Sequence, residues 1–505
     1  MSRIGDAGTH VLGIDVGGTV VKAVLFDLDG VPVAAGHARS ASRHPQPGWA
    51  ERDADDVWSA CATAVRACLD QAADTLPEWP GPAAIAGVGL VGHGDGAYLV
   101  DRHGVPVLAI AATDGRAVGE ARALATDRVL AMSGTHPFPG SPPALAAWLA
   151  VHEPGVLDRS AAWLMSKDWL RFRLTGEICT DETDASGAFT DVSTGEYSDE
   201  LIETAGFTAW RRLLPPIRHS ADVVGGVTAD AAAATGLAVG TPVVCGAHDC
   251  DGAAIGMGAI EPGHLSLIAG TFSINQVVTP VLATDPRWQA RRFVRPGESL
   301  AMATSPASAS NLDWFLREFG PGGPDALGTV NADVAGLAGP TGPAGIDAST
   351  SPVFLPFIYG APHGFRGGGG FVGVRAGHTR AHLLRAVFEG VVCNHRAHVE
   401  ALRDGFTLTG AVRLTGGGAR SAVWTQMFAD ALAMTVEIPT ADEAGALGAA
   451  VLAGWGVGVW PSLTDAVVAT TSVRARFEPT AAGMERFETL YRRYRRVVEA
   501  LSAIS

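Results

Sequence analysis

The sequence predicts an α/β chain built from two similar domains with a cleft between them. Two segments, Val11 to Ser40 and His264 to Thr279, each read as strand, Gly-Thr turn and strand, and they lie about 250 residues apart, the signature of a duplicated architecture. At 505 residues the chain is too long for one ordinary core, and two domains are expected, 1–255 and 256–505. Apolar strands and helix-spaced segments alternate through both halves.

The first segment holds three strands, VLGIDVG, VVKAVLFD and VPVAAGHARS, with a turn at Leu28-Asp29-Gly30 before the third. Its first break, Asp15-Val16-Gly17-Gly18-Thr19, puts an acid at a strand end, two glycines in the bend and a hydroxyl after it. Such a bend can offer backbone N–H groups to a phosphate, and Asp15 can hold magnesium through water. An ordinary hairpin gives the same letters. Lys22 either reaches the same anion or is solvated.

Next, AIAGVGLVG runs into His93-Gly94-Asp95-Gly96 and then AYLVD, so Asp95 either enters a cleft or sits in a plain turn. The strand VLAIAAT ends at Asp114-Gly115-Arg116, where Asp114 and Arg116 hold sugar hydroxyls or pair with each other. Ala144 to Leu149 and Ala161 to Leu174 are expected to be helical, the second stopped by Thr175-Gly176. Asp181 to Gly187 reads as a polar loop without the alternating spacing of a calcium loop.

Asp249 lies in a Gly- and Ala-rich stretch just before the strand Leu265 to Ala269, which ends in Gly270-Thr271-Phe272-Ser273. An acid opposite a phosphate-binding turn can accept the proton of a hydroxyl undergoing phosphorylation. Pro280 to Pro352 is uninformative, with Gly320 to Gly345 expected to be a surface loop. The glycine-dense stretch Ala361 to Gly370 lines a cleft or acts as a hinge. On the helix from His378, the histidines 378, 382, 395 and 398 are expected on the surface rather than as zinc ligands. A strand VRLT then enters Gly416-Gly417-Gly418-Ala419 ahead of a helix, a turn that admits a ring or phosphate against the backbone, or merely packs strand on helix. Ala444 to Thr464 is an uncharged run with five glycines and Pro461, expected to be a buried helix opened by Glu443.

The charge balance, 37 basic against 52 acidic residues, repels a nucleic-acid backbone. The six cysteines have no ligand or C-x-x-C spacing and read as core residues in a reducing compartment. With no signal-peptide pattern at the N-terminus, a cytoplasmic protein is expected, bound neither to membrane nor to nucleic acid.

Taken in order, these motifs resemble the FGGY family of carbohydrate kinases from about Val11 to about Trp460, most specifically in GGGARSAVWTQMFADALAMTVEIP followed by EAGALGAA. The resemblance implies two ribonuclease-H-like domains of the actin-like ATPase type, with ATP and Mg2+ as cofactors. It matches Asp15, Gly17, Gly18 and Thr19 to a first phosphate loop, with Asp15 as the magnesium-associated acid. Gly270, Thr271 and Phe272 match a second phosphate loop, and Gly416, Gly417, Gly418 and Ala419 an adenosine-binding turn. Asp249 matches the general base, with His248 where glycine is usual.

The acceptor implied is a small sugar or polyol, and the resemblance allows a homodimer. His93-Gly94-Asp95-Gly96 stands where D-xylulose kinases commonly have Gln-Met-His-Gly, Leu145 where many relatives have Lys, and FIYGAPHG replaces a frequent Gly-Glu-Arg-x-Pro segment. These departures look more like the L-xylulose kinase and erythritol kinase branches, and the helix from His378, HTRAHLLR, leans toward phosphorylation of a primary hydroxyl of a pentulose such as L-xylulose, with erythritol, another polyol or D-xylulose as alternatives. Outside enzymes, the rival is a non-catalytic sugar and ATP sensor.

Overall fold

The computed structural model describes residues 8–320, 326–336, 347–361 and 367–503. They form two compact units. One holds the chain up to Ile260 together with Pro280–Leu300 and Glu443–Ser472; the other holds Glu261–Thr279, Ala301–Asp442 and the chain from Val473. The boundary expected at residue 255 falls near the first crossing, but two later segments return to the first unit.

The two sheets repeat one topology. In the first unit the strand order is Pro32–Arg39, Val20–Asp27, His10–Val16, Ile85–Gly92, Pro242–Val244, Val223–Gly226. In the second sheet six of the seven strands run Ser299–Ser305, Ser273–Thr279, His264–Ala269, Thr409–Thr415, Val436–Pro439, Val473–Phe477. In each, the founding strand pairs antiparallel with the next in sequence and parallel with a later strand, and the last strand closes the edge antiparallel. This is the ribonuclease-H-like order, drawn twice from one chain.

The first sheet is covered on one side by Ala54–Thr75, capped by Asp53, whose carboxylate accepts from the Asp55 and Asp56 N–H groups. Its buried stripe includes Val57, Cys61, Val65, Cys68 and Leu69, so Cys61 and Cys68 share the core-facing side. All six cysteines are buried and free. The uncharged run becomes a buried helix, Ala444–Gly456, followed by Leu463–Thr470. It lies so close to the sheet that a Cβ on Gly13 would stand 1.8 Å from the Ala446 carbonyl oxygen. Thirteen residues rise only about 20 Å. Among the described residues no helix is long and apolar enough to cross a membrane.

Several local expectations change. Ala161 to Leu174 is not one helix: Ala162–Leu164 is a strand and the helix is Ser166–Thr175. The Met165 N–H donates to the Asp168 carboxylate at 3.3 Å, fixing the helix start there. Asp181 to Gly187 is buried, with a short helix at Glu182–Ala185, rather than a solvated loop. The expected loop Gly320 to Gly345 contains a helix, Ala326–Gly336, and otherwise lies largely outside the described residues, as does Pro362 to Arg366. On Arg380–Gly405, His395 and His398 are buried rather than on the surface. His395 Nε2 meets Ser308 Oγ at 3.1 Å and its Nδ1 meets Asn275 Oδ1 at 2.8 Å, while His398 Nδ1 accepts from the Asn275 amide at 2.9 Å.

Candidate active site

Register alone gathers the acidic residues of the first unit. Asp15 is next to last in its strand and pairs with Val91 of the parallel neighbour, which ends at Gly92 and leads into His93-Gly94-Asp95. Ala247-His248 pairs in parallel with Val91-Gly92, so Asp249 emerges at the same edge. Ligands bind open α/β sheets at the carboxyl ends of parallel strands, and three such ends meet here.

Asp249 is the first residue of the helix Asp249–Gly256, and 37% of its side chain is open to solvent. Desolvation raises its pKa above the usual carboxylate range; Cys250 and Arg291 oppose the rise and Asp95 adds to it. A carboxylate shifted this way is a stronger base than a free one. His248 precedes it. Its Nδ1 accepts from the Cys250 N–H at 3.2 Å and lies 3.2 Å from Asp249 Oδ1. Burial drives the His248 pKa far down, so the ring is neutral, this contact is no ion pair, and the proton sits on Nε2.

Asp15 is half-buried. Desolvation, Asp249 and Glu443 push its pKa up to about 7 against the pull of Lys22. Lys22 Nζ bonds Glu443 Oε2 at 2.5 Å, so the lysine is paired with a residue from far along the chain. The helix from Ala444 begins so close to Asp15 that a Cβ on Gly445 would stand 2.6 Å from its carboxylate. A hard-oxygen donor held near neutrality for want of positive charge fits a divalent cation.

Around the next turn, the Arg52 guanidinium donates to the Gly18 carbonyl and the Ser40 N–H to the Thr19 carbonyl at 3.1 Å. Among the described residues the N–H groups of Gly18 and Thr19 have no protein acceptor. With carbonyls tied back and donors free, the turn can receive an anion.

His93 has no partner on either ring nitrogen, and burial with Arg52 nearby lowers its pKa to about 4. Asp95 sits between Gly94 and Gly96 with φ of 67° and is buried. Its Oδ2 accepts from Arg291 Nη2 at 3.0 Å, and its Oδ1 has no partner. Asp114 and Arg116 pair with each other: Nε to Oδ1 is 2.9 Å and Nη2 to Oδ2 is 3.1 Å. Arg116 also bonds Glu51 at 2.7 Å and lies 3.9 Å above the Trp49 ring, leaving only its Nη1 unpartnered.

Beneath this edge is a fully buried charge cluster invisible to motif reading. Lys167 Nζ bonds Asp168 at 2.7 Å, Asp184 at 3.0 Å and also Asp181. The three carboxylates have the spacing of a metal cluster, but the ammonium stands among them. Burial tends to lower the Lys167 pKa and its three acids more than reverse this, so the lysine stays charged. Arg291, also missed, comes from Pro280–Leu300, a stretch with no periodic pattern to flag it.

The second unit builds its own turns. The Gly270 carbonyl accepts from the Ala309 N–H at 2.9 Å and the Thr271 carbonyl from the Ser310 hydroxyl at 3.0 Å. The N–H groups of Thr271 and Phe272 have no protein acceptor among the described residues, and Phe272 is exposed. The logic is that of the Gly18–Thr19 turn. Gly416, with φ of 90°, packs on this turn so tightly that a Cβ would lie 2.8 Å from the Ala269 carbonyl. Gly417, Gly418 and Ala419 continue as a 3-10 turn into the helix Ala422–Leu432. Strand, glycine turn and helix form a seat for a phosphate or a ring.

Comparison with known proteins agrees with this arrangement. Residues 10–256 match the N-terminal domain and residues 265–457 the C-terminal domain of the FGGY family of carbohydrate kinases. The chain is 33% identical over 498 residues to the L-xylulose/3-keto-L-gulonate kinase of Escherichia coli (strain K12), covering 97% of each chain. It is also 33% identical over 506 residues to a probable L-xylulose kinase of Pasteurella multocida (strain Pm70), covering 98% of this chain and 99% of that protein. The crystal structure of xylulose kinase from Rhodospirillum rubrum superposes with a TM-score of 0.83 at 29% identity, over 98% of this chain and 99% of the other.

Proposed function

Because the chain belongs to the FGGY family of carbohydrate kinases, with ATP as phosphate donor, we propose that it phosphorylates a primary hydroxyl of a five-carbon ketose, L-xylulose in the first instance. The observation that carries this reading is Asp249, a carboxylate of raised basicity beside Asp15 and the Asp95 turn at the ends of parallel strands. L-xylulose, which both relatives' names contain, supports the choice of acceptor; the first name also contains 3-keto-L-gulonate, a carboxylate, which this reading leaves out.

In this mechanism the acceptor oxygen attacks the γ-phosphorus. The new O–P bond forms as the bond to the β-phosphate oxygen breaks, and Asp249 takes the hydroxyl proton. An alcohol is a much weaker acid than a carboxylic acid, so transfer to Asp249 comes late, as the O–P bond develops. His93 and Asp95 orient the acceptor. Asp114 and Arg116, already paired, fix the shape of the wall by holding Glu51 and Trp49. In the first unit the free N–H groups at Gly18 and Thr19 offer hydrogen bonds to phosphate; in the second, taken by itself, those at Thr271 and Phe272 offer the same, and Gly416 to Ala419 offer a seat for adenosine. Asp15 would hold Mg2+, which would neutralise charge on the phosphates. Lys22, held by Glu443, contributes positive charge near Asp15.

Asp249→Asn tests this. General-base help is worth about 10²- to 10⁴-fold, so kcat falls by that factor while the Kd for ATP is unchanged. Turnover within a few-fold of the parent would refute the assignment.

A further inference from the structure

Four polar atoms of His93, Asp95 and Arg291, the arginine that pairs with Asp95, are buried without partners. Arg291 gives Nη2 to Asp95 Oδ2 and shares Nη2 and Nε with Gln289 Oε1 at 3.2 and 3.3 Å, leaving Nη1 with no acceptor. Asp95 Oδ1 has no donor, and neither nitrogen of His93 has a partner. Arg291 is 2% exposed, so bulk water does not supply what is missing. His248 Nδ1 is engaged with the Cys250 N–H, and its remaining Nε2–H bonds neither His93 nor Asp95 Oδ1.

The chemistry of these groups is balanced. The ion pair offers one N–H donor and one carboxylate acceptor at no net charge. Neutral His93 offers one N–H and one lone pair. A hydroxyl both donates and accepts, so two hydroxyls, or a hydroxyl and a carbonyl, can satisfy all four groups. A carboxylate only accepts. It could meet Arg291 Nη1 but would face Asp95 Oδ1 and the nearby Asp249, adding negative charge to a cation that Asp95 and Asp184 already act on.

Resting on the kinase reading above, we infer that the Asp95–Arg291 pair is a charge filter that selects neutral polyhydroxylated acceptors and rejects those bearing a carboxylate. Arg291 is thus a specificity-determining residue, supplied by Pro280–Leu300, and Asp95 sets the sign of the site. The same pair bears on the base: Asp95 raises the Asp249 pKa and Arg291 lowers it. Removing the Asp95 charge alone therefore lowers the Asp249 pKa and moves the acid limb of kcat to lower pH.

The test compares L-xylulose with L-xylonate, five-carbon chains that differ in bearing a carboxylate, by calorimetric Kd on the intact protein. The parent binds the ketose at least about tenfold more tightly, the discrimination one well-placed charged or polar group supplies. Asp95→Asn keeps the positive-φ backbone, which Asn tolerates, and frees the Arg291 charge. The ratio then shifts about tenfold or more toward the acid, and L-xylonate raises the Tm of this variant but not of the parent. Arg291→Lys keeps the charge balance but loses a donor, so L-xylulose binds more weakly while L-xylonate is still rejected. A parent that binds both equally, a folded Asp95→Asn with an unmoved ratio, or an Arg291→Lys that accepts the acid would overturn the filter. ADP release is read on the same samples. Correct binding ratios without ADP formation would sink the kinase reading and leave the filter standing.

Discussion

The proposed role of Asp15 as metal anchor makes metal binding pH-dependent in a calculable way. Its pKa of about 7 follows from desolvation and from Asp249 and Glu443, against the pull of Lys22. With that value, roughly one-tenth of the carboxylate is ionised at pH 6, half at pH 7 and nine-tenths at pH 8. A divalent cation binds the ionised form, so its apparent affinity weakens about tenfold from pH 8 to pH 6, equivalent to about 1.4 kcal/mol. Binding at pH 7 releases about half a proton. Calorimetry with Mn2+ in buffers of different ionisation enthalpy reads both quantities, and Asp15→Asn removes them together. The linkage to stability has a definite sign. A raised folded pKa contributes stability below the ordinary carboxylate range and loses it as pH rises through about 7. The cation therefore raises Tm more at pH 8 than at pH 6. An affinity that does not vary between pH 6 and 8, with no proton released, would refute the argument.

Two further outcomes follow from the packing. Lys167→Met strips the shared cation from Asp168, Asp181 and Asp184, all fully buried, and costs about 3–5 kcal/mol. The Tm should fall by roughly 5–8 °C and recover partly as acid protonates Asp181 and Asp184, Asp168 keeping Arg171; a change under about 2 °C would contradict the cluster's role. Gly416→Ala forces a Cβ to within 2.8 Å of the Ala269 carbonyl at a positive φ, with strain of about 1–3 kcal/mol directed at the Gly270 turn. The KM for ATP should rise about tenfold with the acceptor KM unchanged; the opposite pattern would place this turn outside the nucleotide site.

Local pattern made the founding hairpins legible. Val11 to Ser40 and His264 to Thr279 are strands broken at small residues, and their pairing is short-range. The recurrence of six strands in one order in each unit depends on long crossings that no window of sequence contains. The site followed the same division. Asp15, Asp95 and Asp249 lie at turns that sequence can mark. Arg291 acts through Asp95, far away in the chain, and Lys167 through Asp168, Asp181 and Asp184, acids of its own stretch that no spacing rule marks; neither residue stands in a glycine motif. The apolar run Ala162–Leu164 merged with a helix because three residues are too few to show a period. His395 and His398 were expected outside because histidine on an amphipathic helix usually is, whereas Ser273, Asn275 and Ser308 provide buried partners.

The most direct test of the account is ADP release at saturating Mg-ATP, corrected for background hydrolysis, across L-xylulose, D-xylulose, L- and D-ribulose, erythritol and glycerol. The account predicts a kcat/KM for L-xylulose well above every other acceptor, lowered about 10²- to 10⁴-fold in Asp249→Asn. Equal or absent stimulation by all six, in protein that still binds ATP, would contradict it.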